Sequence, residues 1–291
     1  MINTAIIEEV TIELLKRALT QLPKDVVDAL NTAYKDEIDE LPKTQLNNIL
    51  SNVKLARDRK IPMCQDTGVQ IFFIWLPKAQ TFVNISDISE GITSGVIKGT
   101  AEVPLRPNTV HPLTRANPGN NTGEHMPYLN FKTSDNSYLE IAVMPKGAGS
   151  ENMSQLKMLT PAQGIKGIKE FVLDTLLHAG GKPCPPIILG VGIGGSADIS
   201  MKLAKESLLR PVNQSHPDPQ IAELERELYE SLNEIGIGPM GLGGKTSLLG
   251  VNIEYAHCHT ASHPVAVNIQ CWAARRARAK IYPDGKIEYG D

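Results

Sequence analysis

The chain has 291 residues, of which 41% are hydrophobic and 21% are charged. These values are ordinary for a globular protein, so they exclude wholesale disorder and allow a sizeable core. The net charge of −3 and the lack of a basic arm exclude nucleic-acid binding through a global positive field. The early glutamates Glu8 and Glu9 argue against a signal peptide, and no apolar run has the length of a membrane span. We therefore expect a cytoplasmic protein.

The first sixty residues predict an N-terminal helical region. Apolar residues recur at helical spacing through residues 6–15, and residues 23–25 (Pro-Lys-Asp) are typical of the start of a second helix. A third helix is predicted over residues 42–57, where apolar residues share one face. No chemistry is visible in this region. We predict residues 1–60 as a helical region and residues 61–291 as one continuous domain.

From residue 61 onward, the pattern alternates between strands and helices. The predicted strands cover residues 69–76, 81–85, 138–144, 186–191, 247–255, 264–270 and 278–283. The predicted helices cover residues 86–101, 160–179, 196–209 and 218–234. A proline-rich loop is predicted at residues 104–127, and glycine-rich loops at residues 147–150 and 192–195. Strands that alternate with helices favour an α/β fold with a mixed, partly parallel sheet and packed helices.

Two glycine-rich segments invite comparison with nucleotide-binding motifs. Residues 190–195 match GxGxxG between a predicted strand and a predicted helix, which is the position of a dinucleotide-binding loop. The following helix is not succeeded by a strand that ends in an acidic residue, so a Rossmann site is disfavoured, and a nucleotide-binding module stays an alternative. Residues 243–246 fail the P-loop pattern because Pro239 stands where that motif needs glycine.

The four cysteines lie far apart in the sequence and form no CxxC pair. In a reducing compartment they are not expected to form disulfides, so they are either small apolar side chains or ligands. Cys64 precedes Asp66 just before a predicted strand, where a ligand and an acid/base group could share one pocket. Cys184 lies between prolines before another strand, which suits a rigidly held thiolate and a stiff turn equally well.

Three of the seven histidines and two of the four cysteines lie between residues 257 and 271. A mixture of Cys and His is compatible with zinc, so a zinc hydrolase is an alternative, although the spacing fits no known finger. Histidines that carry protons in a pocket fit the same pattern. Arg106, Arg115 and Lys146 are candidate carboxylate-binding residues, and each of them taken singly is explained as well by solvated surface charge.

Taken together, these segments resemble the class I iron–sulfur fumarase family, which includes two-subunit fumarases and L-tartrate dehydratases. The resemblance covers nearly the whole chain from about Ile61 onward. The matching segments are residues 64–68, Leu105-Arg106-Pro107, residues 146–152, Cys184 ahead of residues 190–198, and residues 271–273. Several motifs in one order are far more specific than any one of them alone.

The resemblance implies a cofactor and a set of site residues. It implies a [4Fe–4S] cluster with one iron open to the substrate and with Cys258 as the cysteine that is not a ligand. The implied cluster ligands are Cys64, Cys184 and Cys271. The implied catalytic residues are Asp66, beside the open iron, and His259, for which His263 is the alternative. The implied substrate-binding residues are Gln65, Arg106 and Gly147.

The resemblance also implies an activity and a partner. The leading hypothesis is the α subunit of a two-subunit fumarate hydratase, as in the tricarboxylic acid cycle, which hydrates fumarate reversibly to malate. L-tartrate dehydratase is the alternative, since both substrates are small dicarboxylates. Single-chain family members continue into a second domain about where this chain ends, at Asp291. We therefore expect a separate β subunit to complete the site, and a homo-oligomer of αβ units.

Overall fold

A computed structural model describes residues 2–79 and 82–290. These residues form an α/β fold with an N-terminal helical region and two mixed sheets, which confirms the predicted fold class. By their internal contacts, the described residues divide into two compact units. Among the described residues, the first unit contains residues 2–23, 52–79, 82–147 and 275–290, and the second contains Lys24–Ser51 and Ala148–Ala274. This division differs from a boundary at residue 60, and the two predicted domains stay a prediction.

The described residues contain the following elements. The helices are α1 (Thr4–Thr20), α2 (Lys24–Asp36), α3 (Glu40–Arg59), α4 (Ile85–Glu102), α5 (Ala148–Glu151), α6 (Gly164–Ala179), α7 (Ala197–Ser207) and α8 (Pro219–Asn233). The strands are β1 (Val69–Leu76), β2 (Tyr128–Thr133), β3 (Leu139–Lys146), β4 (Gln155–Leu159), β5 (Ile187–Gly194), β6 (Leu248–Ala256), β7 (His263–Gln270), β8 (Ala277–Ile281) and β9 (Ile287–Gly290). No helix among them is both long enough and apolar enough to cross a membrane.

Most predicted elements are confirmed, and the differences have physical causes. The predicted strand at residues 81–85 is wrong: Thr81 lies outside the described residues, residues 82–84 are irregular, and α4 begins at Ile85. Asn84 is the N-cap residue in an extended conformation, and the negative charge of Asp87 in the first turn favours the start of a helix. The unpredicted strands β2, β4 and β9 all lie at sheet edges. Edge strands are partly exposed, so their hydrophobic alternation is weak.

In the first unit, five strands form a sheet in the order β2-β1-β3-β8-β9. Strand β1 pairs with β2 in parallel and with β3 antiparallel, and β8 pairs antiparallel with β3 and β9. Buried residues such as Leu14, Phe72 and Ile141 form its core with α1 and α4. Because β3 runs antiparallel to β1 and β8, the start of β1, the end of β3 and the start of β8 lie at one end of the sheet.

In the second unit, four strands form a sheet in the order β4-β7-β5-β6. Strand β5 is parallel to β6 and antiparallel to β7, with Ile188 opposite Gln270. Apolar residues of α6 and α8, among them Phe171 and Leu228, pack on the core of this sheet. The start of β5 therefore lies next to the end of β7, and the end of β5 lies next to the start of β7.

The glycines of the GxGxxG-like segment are explained by packing. Gly190 and Gly192 lie inside β5, and α7 packs across them. A Cβ atom would lie 2.0 Å from the Ala204 carbonyl oxygen if added to Gly190, and 1.9 Å from the Ser200 carbonyl oxygen if added to Gly192. The close approach of helix to strand requires these glycines, so the motif needs no bound nucleotide to account for it.

We predict that Gly192→Ala lowers the free energy of unfolding by at least about 2 kcal/mol, because the added methyl group overlaps a backbone carbonyl that cannot move alone. The control is Gly290→Ala, since nothing lies within 4 Å of a Cβ atom at that position. Its effect should stay within about 0.5 kcal/mol. Urea unfolding followed by circular dichroism measures both variants. Equal stability of the two would contradict the packing explanation.

Candidate active site

Asp66, one of the predicted catalytic residues, lies in a tight turn at the end of the first unit's sheet. Its Oδ1 atom accepts a hydrogen bond from the backbone N–H of Gly68 at 2.9 Å, as is common for aspartate in turns. Gly68 has a φ of +78°, and a Cβ atom there would lie 2.7 Å from the backbone nitrogen of Lys146. Only glycine suits this position, so the Asp-Thr-Gly sequence fixes the turn against the end of β3.

Arg275 anchors the same turn from the start of β8. This arginine is 2% exposed, and its Nη1 atom donates a hydrogen bond of 2.6 Å to the Asp66 carbonyl oxygen. A Cβ atom on Gly147 would lie 3.1 Å from both Arg275 Nη2 and Asp66 Oδ2. The missing side chain of Gly147 therefore leaves the room in which the guanidinium and the carboxylate approach each other.

Positive charge is concentrated at this end of the sheet. Lys146, Arg275 and Arg276 are all less than 4% exposed and lie at the end of β3 or just before β8. Buried cations require nearby negative or polar groups, so their presence favours anions at this end of the sheet. Arg106 is exposed, and its side chain makes no hydrogen bond or ion pair within residues 2–79 and 82–290. Gln65 is exposed as well.

The loop that carries Arg106 is held by the buried amide of Asn121. Asn121 is fully buried and adopts a φ of +61°. Its Oδ1 atom accepts from the backbone N–H of Asn108 at 2.7 Å, and its Nδ2 atom donates to the Arg106 carbonyl at 3.2 Å and to Thr100 Oγ1 at 3.1 Å. One side chain thus fixes the backbone on both sides of Pro107.

The Arg106 loop and the Asp66 turn are joined by two further side chains. Thr67 Oγ1 donates to the Arg106 carbonyl at 3.2 Å. Asn108 Nδ2 lies 3.3 Å from Asp66 Oδ1, 3.3 Å from Thr67 Oγ1 and 3.2 Å from the Gly68 carbonyl oxygen. The structure therefore brings together the predicted residues Asp66, Arg106 and Gly147 in the first unit.

Two of the predicted cluster ligands lie together in the second unit. Cys184 precedes β5 and Cys271 follows β7, and these strand ends are neighbours in the sheet. The backbone N–H of Trp272 donates to the Cys184 carbonyl oxygen at 3.3 Å. Cys184 has a φ of +57°, which is rare for a residue other than glycine and is found mostly where structure or function requires it. Both thiols are partly exposed.

The histidine-rich segment lies at the other end of the second unit's sheet. His259 is exposed in the turn between β6 and β7, where its Nδ1 atom accepts from the backbone N–H of Ala261 at 3.1 Å. His263 is the first residue of β7. Strand β5 is eight residues long, so its ends lie roughly 25 Å apart. The structure therefore does not place His259 or His263 beside Cys184 and Cys271 in this unit, and the catalytic role of His259 stays a prediction.

Cys258 and Asp198 lie at the same end of the second unit's sheet as His259. Cys258 is exposed there, with its Sγ atom 3.3 Å from the Ser262 carbonyl oxygen. Asp198 lies at the start of α7, where a hydrogen bond from Ser196 lowers the pKa of the carboxyl below its ordinary value. Cys258 is thus separated from Cys184 and Cys271 by the length of β5.

The predicted cluster ligands are thiols, which is the donor type that holds iron–sulfur clusters. None of the four cysteines forms a disulfide. In the part of the chain that the structure describes, no three side chains of His, Cys, Asp or Glu converge as they would around one metal ion. In a cluster, each thiolate binds a different iron, so its cysteines need not converge on one point. Cys64 belongs to the first unit and is partly exposed.

Sequence reasoning missed Asn108, Asn121 and Arg275. Asparagine is usual in loops, so nothing marks a buried amide in a proline-rich segment as different from a turn residue. The pair Arg275-Arg276 carried a weak signal, since two adjacent cations directly before a buried strand require anionic or polar partners.

Comparison with known proteins gives consistent results. The family profile described as Fumarate hydratase (Fumerase) matches residues 8–280. A protein of Methanocaldococcus jannaschii named "Putative L(+)-tartrate dehydratase subunit alpha" is 53% identical over 283 residues, which cover 97% of this chain and 99% of that protein. The "L(+)-tartrate dehydratase subunit alpha" of Escherichia coli strain K12 is 35% identical over 270 residues, which cover 92% and 88%. The family resemblance predicted from the sequence is confirmed.

We predict that Asn121→Ala lowers the free energy of unfolding by about 3 kcal/mol, because it removes the buried amide that binds the N–H of Asn108 and puts alanine at a positive φ. Thermal and urea unfolding measure the loss. The control is Asn117→Ala in the same loop, whose exposed side chain donates to the Pro107 carbonyl at 2.8 Å. It should cost less than about 1 kcal/mol. Similar losses in both variants would show that burial of the amide does not matter.

Proposed function

The chain belongs to the fumarate hydratase (Fumerase) family of hydro-lyases, and on this premise we propose that it is the α subunit of an L(+)-tartrate dehydratase. The observation that carries the choice of substrate is the shared name of its relatives, which extend over nearly the whole chain. The sequence alone favoured fumarate hydratase, with tartrate dehydratase as the alternative. The names of the relatives favour tartrate dehydratase instead. The description of the family keeps the reversible hydration of fumarate to malate as the second candidate.

The charges of the first unit support a dicarboxylate substrate. We propose that Arg106 binds one carboxylate, since its guanidinium is exposed on a rigid loop and has no partner within the described residues. Gln65 and the backbone of Gly147 are the proposed additional contacts. The buried Arg275 acts indirectly, because it holds the Asp66 turn in place. A small dianion thereby meets positive charge in a protein whose net charge is negative.

Asp66 is the proposed proton-transfer residue. Loss of water from a 2-hydroxy acid requires that a base remove a proton from the carbon next to the one that loses its hydroxyl. The Oδ1 atom of Asp66 is engaged by Gly68 and Asn108, and Oδ2 lies over Gly147. We propose that the Asp66 carboxylate removes this proton, since it lies against the backbone of Gly147, a proposed substrate contact. His259 lies at the far end of the second unit's sheet from Cys184 and Cys271, and its catalytic role stays a prediction.

The proposed cofactor is a [4Fe–4S] cluster held by Cys64, Cys184 and Cys271. The donor set fits, because all three are partly exposed thiols outside disulfides, and two of them lie at neighbouring strand ends. When bound, a cluster with one iron free of cysteine supplies a Lewis acid for the departing hydroxyl. Cys258 is left out, because it lies at the opposite end of the sheet from Cys184 and Cys271.

The proposed enzyme also contains a partner chain that completes the site. Relatives of nearly the same length are named subunit alpha, which supports a separately encoded β subunit. Two carboxylates and a departing hydroxyl need more donors than Arg106, Gln65 and a glycine backbone supply. We propose that the partner supplies them. A homo-oligomer of αβ units stays a prediction.

We predict that the cluster-loaded chain, assembled with its partner, converts L(+)-tartrate to oxaloacetate with a kcat/KM at least about tenfold above that for fumarate hydration. The chain without its partner should be almost inactive on both. Coupled oxaloacetate assays and fumarate absorbance measure the two reactions. A higher kcat/KM for fumarate would favour the second candidate, and full activity without a partner would remove the β subunit from the proposal.

We predict that the anaerobically reconstituted chain binds about four irons and four sulfides, with broad visible absorption. Serine in place of Cys64, Cys184 or Cys271 should abolish this binding, because each substitution removes one thiolate ligand. Cys258→Ser is the matched control and should retain the cluster. Iron and acid-labile sulfide analysis measures each variant, and a retained cluster in any of the first three would disprove the ligand assignment.

A further inference from the structure

The side-chain amide of Asn108 is engaged at one end and open at the other. Its Nδ2 atom faces three acceptors, Asp66 Oδ1, Thr67 Oγ1 and the Gly68 carbonyl, all at 3.2 to 3.3 Å. Its Oδ1 atom receives no hydrogen bond from any described residue. The side chain is half-buried. Its Oδ1 atom does not belong to the buried side-chain polar atoms of the described residues that lack a hydrogen-bond partner. It is therefore an acceptor that an outside molecule can reach.

The neighbouring acceptors determine which atom of the Asn108 amide is Nδ2 and which is Oδ1. An oxygen in the place of Nδ2 would face the Asp66 carboxylate and the Gly68 carbonyl, so that only acceptors would meet. The backbone is fixed too, since the N–H of Asn108 is bound by the buried Asn121 amide. The open Oδ1 atom thus has a defined position before any ligand binds, which reduces the entropy lost on binding.

Asn108 is connected to two groups of the proposed site. Asn108 follows Arg106 by two residues on the same loop, and its amide contacts the Asp66 turn. L(+)-tartrate has a hydroxyl on each central carbon, and dehydration removes only one of them. The other hydroxyl must be bound without reacting. Malate has no hydroxyl at that carbon.

We propose that Asn108 is a specificity residue whose Oδ1 atom accepts a hydrogen bond from the hydroxyl that tartrate retains. The inference rests on the proposed function. With malate, the same oxygen has no partner on the substrate and must keep a water instead. A site that binds a substrate hydroxyl disfavours the analogue that lacks it. Because Asn108 is half-buried, the preference from one hydrogen bond is about tenfold, well below that of a sealed site.

Two variants of the assembled, cluster-loaded enzyme test this proposal. Asn108→Ala removes the acceptor, and Asn108→Asp keeps an acceptor in its place but loses the donor to the turn. The readout is the ratio of kcat/KM for L(+)-tartrate to that for L-malate. Where malate is not turned over, its constant as a competitive inhibitor replaces the second value. Circular dichroism confirms folding, and either variant alone decides if the other fails to fold.

Asn108→Ala should lower the ratio about tenfold, whereas Asn108→Asp should preserve the ratio although both absolute values fall. Thr67→Val is the control: it weakens the anchoring of Asn108 Nδ2 without touching Oδ1, so it should lower both values equally. An unchanged ratio in Asn108→Ala, or a lowered ratio in Asn108→Asp, would show that Asn108 only positions the turn. Failure of the proposed function would appear in the wild type, as a lack of preference for tartrate, and not in the variants alone.

Discussion

The antiparallel pairing of β3 with both β1 and β8 is the constraint on which the arrangement of the first unit depends. It brings the turn before β1, the glycine after β3 and the arginine before β8 to one end of the sheet. Asp66 and Arg275 are 209 residues apart in the chain, yet the Arg275 guanidinium donates a hydrogen bond of 2.6 Å to the Asp66 carbonyl oxygen there. Gly147 is then required to be small, because the two side chains approach over its Cα atom. The cation, the carboxylate and the bare backbone are thus brought together by the two pairings of β3.

The second unit uses the same geometry to separate its groups. Antiparallel pairing of β5 and β7 makes neighbours of Cys184 and Cys271 and sends the histidine-rich turn to the opposite end. Rigid prolines around Cys184 and its positive φ give the thiol a fixed direction. The parallel pairing of β5 with β6 needs a crossover, and Gly190 and Gly192 allow α7 to lie close enough to provide part of it.

In the first unit, side-chain amides connect the end of the sheet to the loops that contain the proposed site residues. A loop without regular structure leaves its N–H and C=O groups without sheet partners, and burial of such groups is costly unless side chains satisfy them. Asn121 does so for the Arg106 loop, and Asn108 does so for the Asp66 turn. The proline-rich segment is therefore ordered around Arg106, and the exposed side chain of Arg106 extends from a rigid backbone.

The sequence by itself determined the fold class, most elements, the family and the residues Cys64, Asp66, Arg106 and Gly147 as a group worth testing. These follow from local signals, since periodicity, turn residues and ordered motifs are all written within short windows of the chain. Only the tertiary structure decided that Cys258, His259 and His263 lie far from Cys184 and Cys271, and that three edge strands exist. It alone also showed that Asn108, Asn121 and Arg275 hold the Asp66 turn and the Arg106 loop. Those facts depend on strand pairing between distant segments and on hydrogen bonds of buried amides, and neither leaves a periodic trace in the sequence.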